Sequence, residues 1–150
     1  MITLTEKNTP ILKQSAKAIA EWWTEKMQLP FNWNNGDDSP TGAMTFMLGN
    51  MVSQQAQQTI TPQKIEKFKE YLSNSIMLLL ANREYGSVRY IGVDYDPCPI
   101  LANACAEADI DPRCLPVKSS IWLEENGNVI AAYQYGGERK LIFDAKGQDQ

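Results

Sequence analysis

Apolar positions in the N-terminal half of the chain recur at helical spacing. Over about residues 10–27, Leu12, Ala16, Ile19, Ala20, Trp23 and Met27 share one face, while Lys13, Lys17, Glu21 and Glu25 take another. A second pattern, about 40–57, places Met44, Met47, Leu48, Met51 and Val52 together. A third, about 62–81, lines up Ile65, Phe68, Leu72, Ile76 and Leu79, and its last turns, IMLLLA, are apolar nearly all round. Each start carries the same signal: Thr9-Pro10, Ser39-Pro40 and Thr61-Pro62 pair a capping oxygen with a proline that lacks the otherwise orphaned N–H. Asp96-Pro97 repeats it before a short Ala-rich pattern, about 97–109, with Ile100, Leu101, Ala104, Cys105 and Ala108 on its apolar face.

After Gly86 the period changes. VRYIGVDY (88–95) is rich in β-branched and aromatic residues and predicts a strand. VKSSIWLEE (117–125), VIAAYQY (129–135) and ERKLIF (138–143) follow, separated by Asn126-Gly127 and Gly136-Gly137, pairs that admit the positive φ of tight turns, so three strands form a meander. The link between residues 96 and 116 contains a helix and is long enough for a right-handed crossover, which predicts a parallel first pair and a mixed sheet. The expected fold is α+β: three N-terminal helices (9–82) packed on a C-terminal βαβββ unit (87–143) with a four-stranded mixed sheet. It has two layers in a single domain over 1–150, and a frayed tail at 144–150.

Composition narrows the chemistry. The 150 residues include three cysteines and no histidine, which removes Ser-His-Asp and Cys-His machinery, His-ligated zinc and an imidazole pH switch. A chain of this length supports a core without metal or disulfide staples, so no cofactor is called for. The net charge is −4, and residues 76–150 hold all of the excess, seven basic groups against eleven acids. Lys64, Lys67 and Lys69 alternate with Glu66 and Glu70, so no basic footprint for nucleic acid forms. No apolar run reaches membrane-spanning length and the start MITLTEKNTP is polar, which leads to the expectation of a soluble cytoplasmic protein with free thiols.

Asp94 and Asp96, two apart at a strand end, would point the same way and could hold a divalent cation. The pair is similar to the D-x-D that ends the first strand of haloacid dehalogenases, over these few residues only. The Thr or Val that follows there is absent and no partner motif lies downstream, so no role is carried across. Asp109, Asp111 and Arg113, returning through the next loop, would complete an acidic cluster. The competing and favoured reading makes Asp96 a helix cap and Asp94 a solvated strand end. Cys98, in the first turn of its helix, is the candidate reactive thiol. Cys98, Cys105 and Cys114 match no zinc spacing, and packing is the preferred role.

Two segments look suited to binding. The loop PFNWNNGDDS (30–39) carries Phe31, Trp33, Asp37 and Asp38, aromatics and carboxylates on an irregular link between helices. In the meander, Trp122, Tyr133 and Tyr135 are expected on one face, with Arg139 and Lys140 on the edge-like last strand. The stripe Met44, Met47 and Met51 would suit an adaptable surface, but its spacing favours core. The resulting expectation is a non-enzymatic binding or regulatory protein with a protein partner, acting through these aromatics. A metal-dependent enzyme or ligand binder at the strand-end carboxylates is the alternative. Nucleic acid and membrane are not expected partners, and the open final strand would allow a homodimer.

Overall fold

The computed structural model describes residues 2–29, 40–94, 96–134 and 137–148. Four α-helices and four strands follow the order α1 (Thr9–Met27), α2 (Pro40–Gln58), α3 (Pro62–Ala81), β1 (Tyr90–Val93), α4 (Pro99–Ala108), β2 (Ser119–Leu123), β3 (Val129–Ala132) and β4 (Lys140–Phe143). A short 3₁₀ turn at Pro112–Cys114 precedes β2. The helix spans match the periodicity closely, and Thr61 caps α3 as expected, its hydroxyl accepting from the Lys64 amide at 3.3 Å. Asn8 rather than Thr9 sits at the start of α1, where it and Thr5 exchange hydrogen bonds between side chain and backbone. α4 begins two residues later than Asp96-Pro97 predicts. Cys98 occupies the cap position and Pro99 the first helical one, so Asp96 is not the cap.

The sheet order is β1-β2-β3-β4, with every neighbour antiparallel. The meander is as expected; the parallel first pair, and with it the mixed sheet, is not. Val93, the last residue of β1, lies opposite Ser119, the first of β2, so the chain leaves and re-enters the sheet at one end. α4 spans only about 15 Å, and the segment after it runs back the same distance. The base of this excursion is closed by the Lys118 amide donating to the Asp94 carbonyl at 3.0 Å and by an ion pair between the side chains of the same two residues. At the other side of the hook the Cys98 amide donates to the Gly92 carbonyl at 3.0 Å. A link of this length is compatible with either direction, and the return segment decides it.

One face of the sheet is core. Ile91, Val93, Ile121, Leu123, Val129 and Ala131 are buried and belong to one cluster with Ile19, Trp23, Met27, Phe68, Leu72, Ile76, Leu80 and Leu101 from the helices. α1 touches β3 and β4, α4 touches β1, and α3 packs chiefly on α1 and α4. The Ser15 hydroxyl donates to the Gly127 carbonyl at 2.6 Å, tying α1 to the β2–β3 turn.

That turn also sets the register. Leu123 pairs with Val129 and Trp122 with Ile130, and the Glu124 amide donates to Asn128 while Gly127 donates back to Glu124. The loop is therefore Glu125, Asn126 and Gly127, with Gly127 at φ +95°. A two-residue turn at Asn126-Gly127 would have moved the pairing by one and turned Trp122 toward the side of Tyr133. With three residues the two aromatics lie on opposite faces, which corrects the expectation of a shared one.

Gly127→Ala tests this turn. A Cβ there would meet Ile11 at 3.1 Å and would have to hold a φ that L side chains rarely adopt. We expect a loss of about 1–3 kcal/mol, measured as a lower urea midpoint with an unchanged m-value.

Candidate functional site

The outward face of the sheet is built from alternate residues of the strands. Tyr90 in β1 lies opposite Trp122 in β2, and Trp122 lies opposite Ile130 in β3, which pairs with Leu141 in β4. Tyr90 and Leu141 are 49% and 53% exposed. The Tyr90 ring runs along its own strand over Gly92, where a Cβ would come within 2.8 Å of the phenol oxygen. Its hydroxyl meets the Ser120 hydroxyl at 3.0 Å. The absent side chain of Gly92 is what lets the ring lie down.

Trp122 packs on Tyr90 with ring centroids 5.7 Å apart and planes at 59°. From the other side the Arg139 guanidinium, one residue before β4, stands 4.5 Å from the Trp122 ring centre. Tyr85, Arg89, Glu124 and Glu125 border the same groove, about 850 Å³ in volume. The Tyr85 hydroxyl donates to the Leu123 carbonyl at 2.6 Å, and burial, followed by the nearby Glu125 charge, raises its pKa. The arrangement offers flat aromatic area, a cation held over it, and both signs of charge at the rim. Among the described residues it contains no nucleophile paired with a base.

Tyr133 belongs to a second cluster on the core side. It meets Trp22 of α1 edge to face, 6.4 Å between centroids, and Lys26 lies 5.2 Å from its ring and 5.7 Å from that of Trp22. A cleft of about 590 Å³ opens beside them, bordered by Glu21, Glu25 and Lys140. Phe31, Trp33, Asp37, Asp38 and Tyr135 lie outside the described residues. Tyr90, Trp22 and Lys26 were not singled out from the sequence. The alternation of Tyr90 and Gly92 in a strand carries the signal for the first.

The strand-end carboxylates do not converge. Asp94 pairs with Lys118, and Asp96 is exposed on the hook. Asp109 ends α4 in the left-handed conformation and pairs with Lys64 at 3.6 Å, while Asp111 binds Arg113 through both carboxylate oxygens at 2.6–3.0 Å. The length of α4, about 15 Å, separates the first pair of carboxylates from the second. Among the described residues no three His, Cys, Asp or Glu side chains gather as a metal ion requires.

Cys105 and Cys114 are buried, and desolvation pushes both thiols up to about 12. Cys98 is half-buried at the start of α4, beside a cavity of about 470 Å³ bordered by Tyr71, Leu78 and Leu79. Cys105 and Cys114 belong to the core cluster, and Cys98, partly buried, packs against it. No protein-family model matches this sequence, and no curated protein matches it.

Two measurements follow from these environments. At pH 7.5 a small alkylating reagent should modify Cys98 alone in the folded protein and all three cysteines in guanidinium, read by intact mass. Rapid labelling of Cys105 or Cys114 would contradict their burial. Hydrogen bonds from Arg113 hold the Asp111 carboxyl below the usual carboxylate range. Its contribution to stability is therefore present above the unfolded value of about 3.9 and is lost as pH falls through the folded one. The Tm difference between the protein and Asp111→Asn should stay constant above about pH 5 and shrink toward pH 3.

Proposed function

We propose that this protein is a non-enzymatic binding protein that engages a protein partner through the outward face of its sheet. The observation that carries the reading is the Tyr90–Trp122–Arg139 stack beside exposed Leu141, a contiguous aromatic and aliphatic surface on the side of the sheet that the helices do not cover. Tyr, Trp and Arg are the residue types that dominate binding energy at protein interfaces; Tyr and Trp bring large area with few rotatable bonds and a polar tip, and Arg brings a planar, charged array of donors. Arg139 is already ordered by Trp122, so little side-chain entropy is lost when a partner covers it. Arg89, Glu124 and Glu125 surround the apolar centre with charge, as a polar rim does.

The absence of histidine and the dispersal of the strand-end carboxylates leave this reading better supported than an enzymatic one. Trp122→Ala should abolish retention of a specific partner from a lysate of the source cells, with the fold preserved by circular dichroism. Tyr133→Phe, on the other face, should leave retention unchanged. Loss of more than about 2 kcal/mol of affinity is expected at such an anchor. Identical partner sets for all three proteins would overturn the reading.

A further inference from the structure

The outward stripe of α2, Met44, Met47, Leu48 and Met51, is between 54% and 64% exposed and not in the core that its spacing predicts, and no charge on it specifies a cover. The cleft between α1 and the end of β3 has walls and a rim of definite chemistry. Trp22 and Lys26, four apart on α1, share one face of the helix, and Tyr133 follows directly on β3. The Trp22 and Tyr133 rings stand at 80° to each other, 6.4 Å between centroids, as two walls of a corner. The Lys26 ammonium lies over both, 5.7 and 5.2 Å from their centres, within the range of cation–π attraction. Gly137 leaves no room for a Cβ against the Tyr133 carbonyl, so the returning chain comes close, and Glu138 joins Glu21 and Glu25 at the border of the cleft.

We propose that this cleft binds a quaternary ammonium group, which displaces Lys26 from the corner between Trp22 and Tyr133. The Lys26 ammonium marks where the ligand's charge sits, and it is a poor occupant of that seat. Its side chain is only 20% exposed, yet among the described residues it reaches one acceptor, Glu25 at 3.3 Å. A primary ammonium is strongly hydrated and has three N–H groups to satisfy. A quaternary ammonium has none, so it enters an aromatic corner with less lost to water. The flexible stem of Lys26 lets its charge leave without movement of the helix. Once it has left, three glutamates at the border face Lys140 alone, and a cationic ligand restores the balance. At about 590 Å³ the cleft has the size of a small-molecule pocket. A free choline-like molecule and a trimethylated lysine side chain present the same group. The site lies apart from the outward aromatic face and does not depend on its role.

Choline titrated into the isotope-labelled full chain should shift the Trp22 indole resonance with a Kd on the order of 1 mM. The uncharged isostere with carbon in place of the nitrogen should not bind. Lys26→Met keeps the apolar stem and removes the competing charge, so it should tighten choline about tenfold, because the seat is then always open. In that background Tyr133→Leu should weaken choline about tenfold or more. Glu138→Lys, at an exposed position, should weaken it as well, and it serves as the test if Tyr133→Leu loses its thermal transition. A peptide bearing trimethyl-lysine that binds more tightly than choline assigns the group to a protein chain, and one that binds no better assigns it to a free molecule. Equal binding of the uncharged isostere would overturn the proposal, as would a Lys26→Met variant with no gain in affinity. Absence of binding by both choline and the peptide would overturn it equally.

Discussion

Helix α1 is enclosed from two sides, with α3 on one and β3 and β4 on the other, and this double burial organises the molecule. Its small residues Ala16 and Ala20 are fully covered, as are Ile19, Trp23 and Met27, so the helix contributes apolar surface in two directions at once. Close packing of that kind is unforgiving of volume changes and fixes the angle at which neighbours approach. Once α1 covers the inner face of the meander and α4 covers β1, the core side of the sheet is fully used. α3 completes the core by packing on those two helices. α2 is left to seat against the turn at Pro112–Cys114, with one face inward and one outward.

The link between β1 and β2 shows how local capping settles a topological choice. β1 ends in a hook whose backbone is satisfied by its own return, through Cys98 to Gly92 and Lys118 to Asp94. Lys118 adopts a positive φ of 53° to make that contact, a conformation an L residue holds only when its surroundings demand it. The result is an out-and-back excursion in place of a crossover. It also disperses the four carboxylates that the sequence places within eighteen positions of each other. Each end of α4 receives one pair, and Lys118, Lys64 and Arg113 neutralise three of them locally.

The elements were largely legible in the chain because their signals are local. Helical period and proline placement located α1, α2 and α3 to within a residue or so, and glycine-bearing turns separated β2, β3 and β4. What was hidden depends on counts and on neighbours. Whether Trp122 shares a face with Tyr133 turns on whether the hairpin loop has two residues or three, and Asn126-Gly127 is compatible with both. The site partner Tyr90 depends on the missing Cβ of Gly92 across a half-turn of pleat. The Met stripe has the spacing of a core helix, and only the supply of covering elements determines that it remains outside. Periodicity identifies a face, and the topology decides whether that face has a cover.

The two open apolar surfaces differ in what surrounds them, and this difference bears on what each is suited to. The sheet face is ringed by Arg89, Arg139, Glu124 and Glu125, so two copies meeting there would have to match both signs in a two-fold arrangement, whereas a different protein can be complementary at each position. The α2 stripe has no charge with which to discriminate among partners. A charged rim supplies specificity at a cost in desolvation, while an uncharged stripe associates with little selectivity and little penalty. The surfaces also sit on different elements, with α2 attached at the Pro112–Cys114 turn and the aromatic stack on the outward side of the strands.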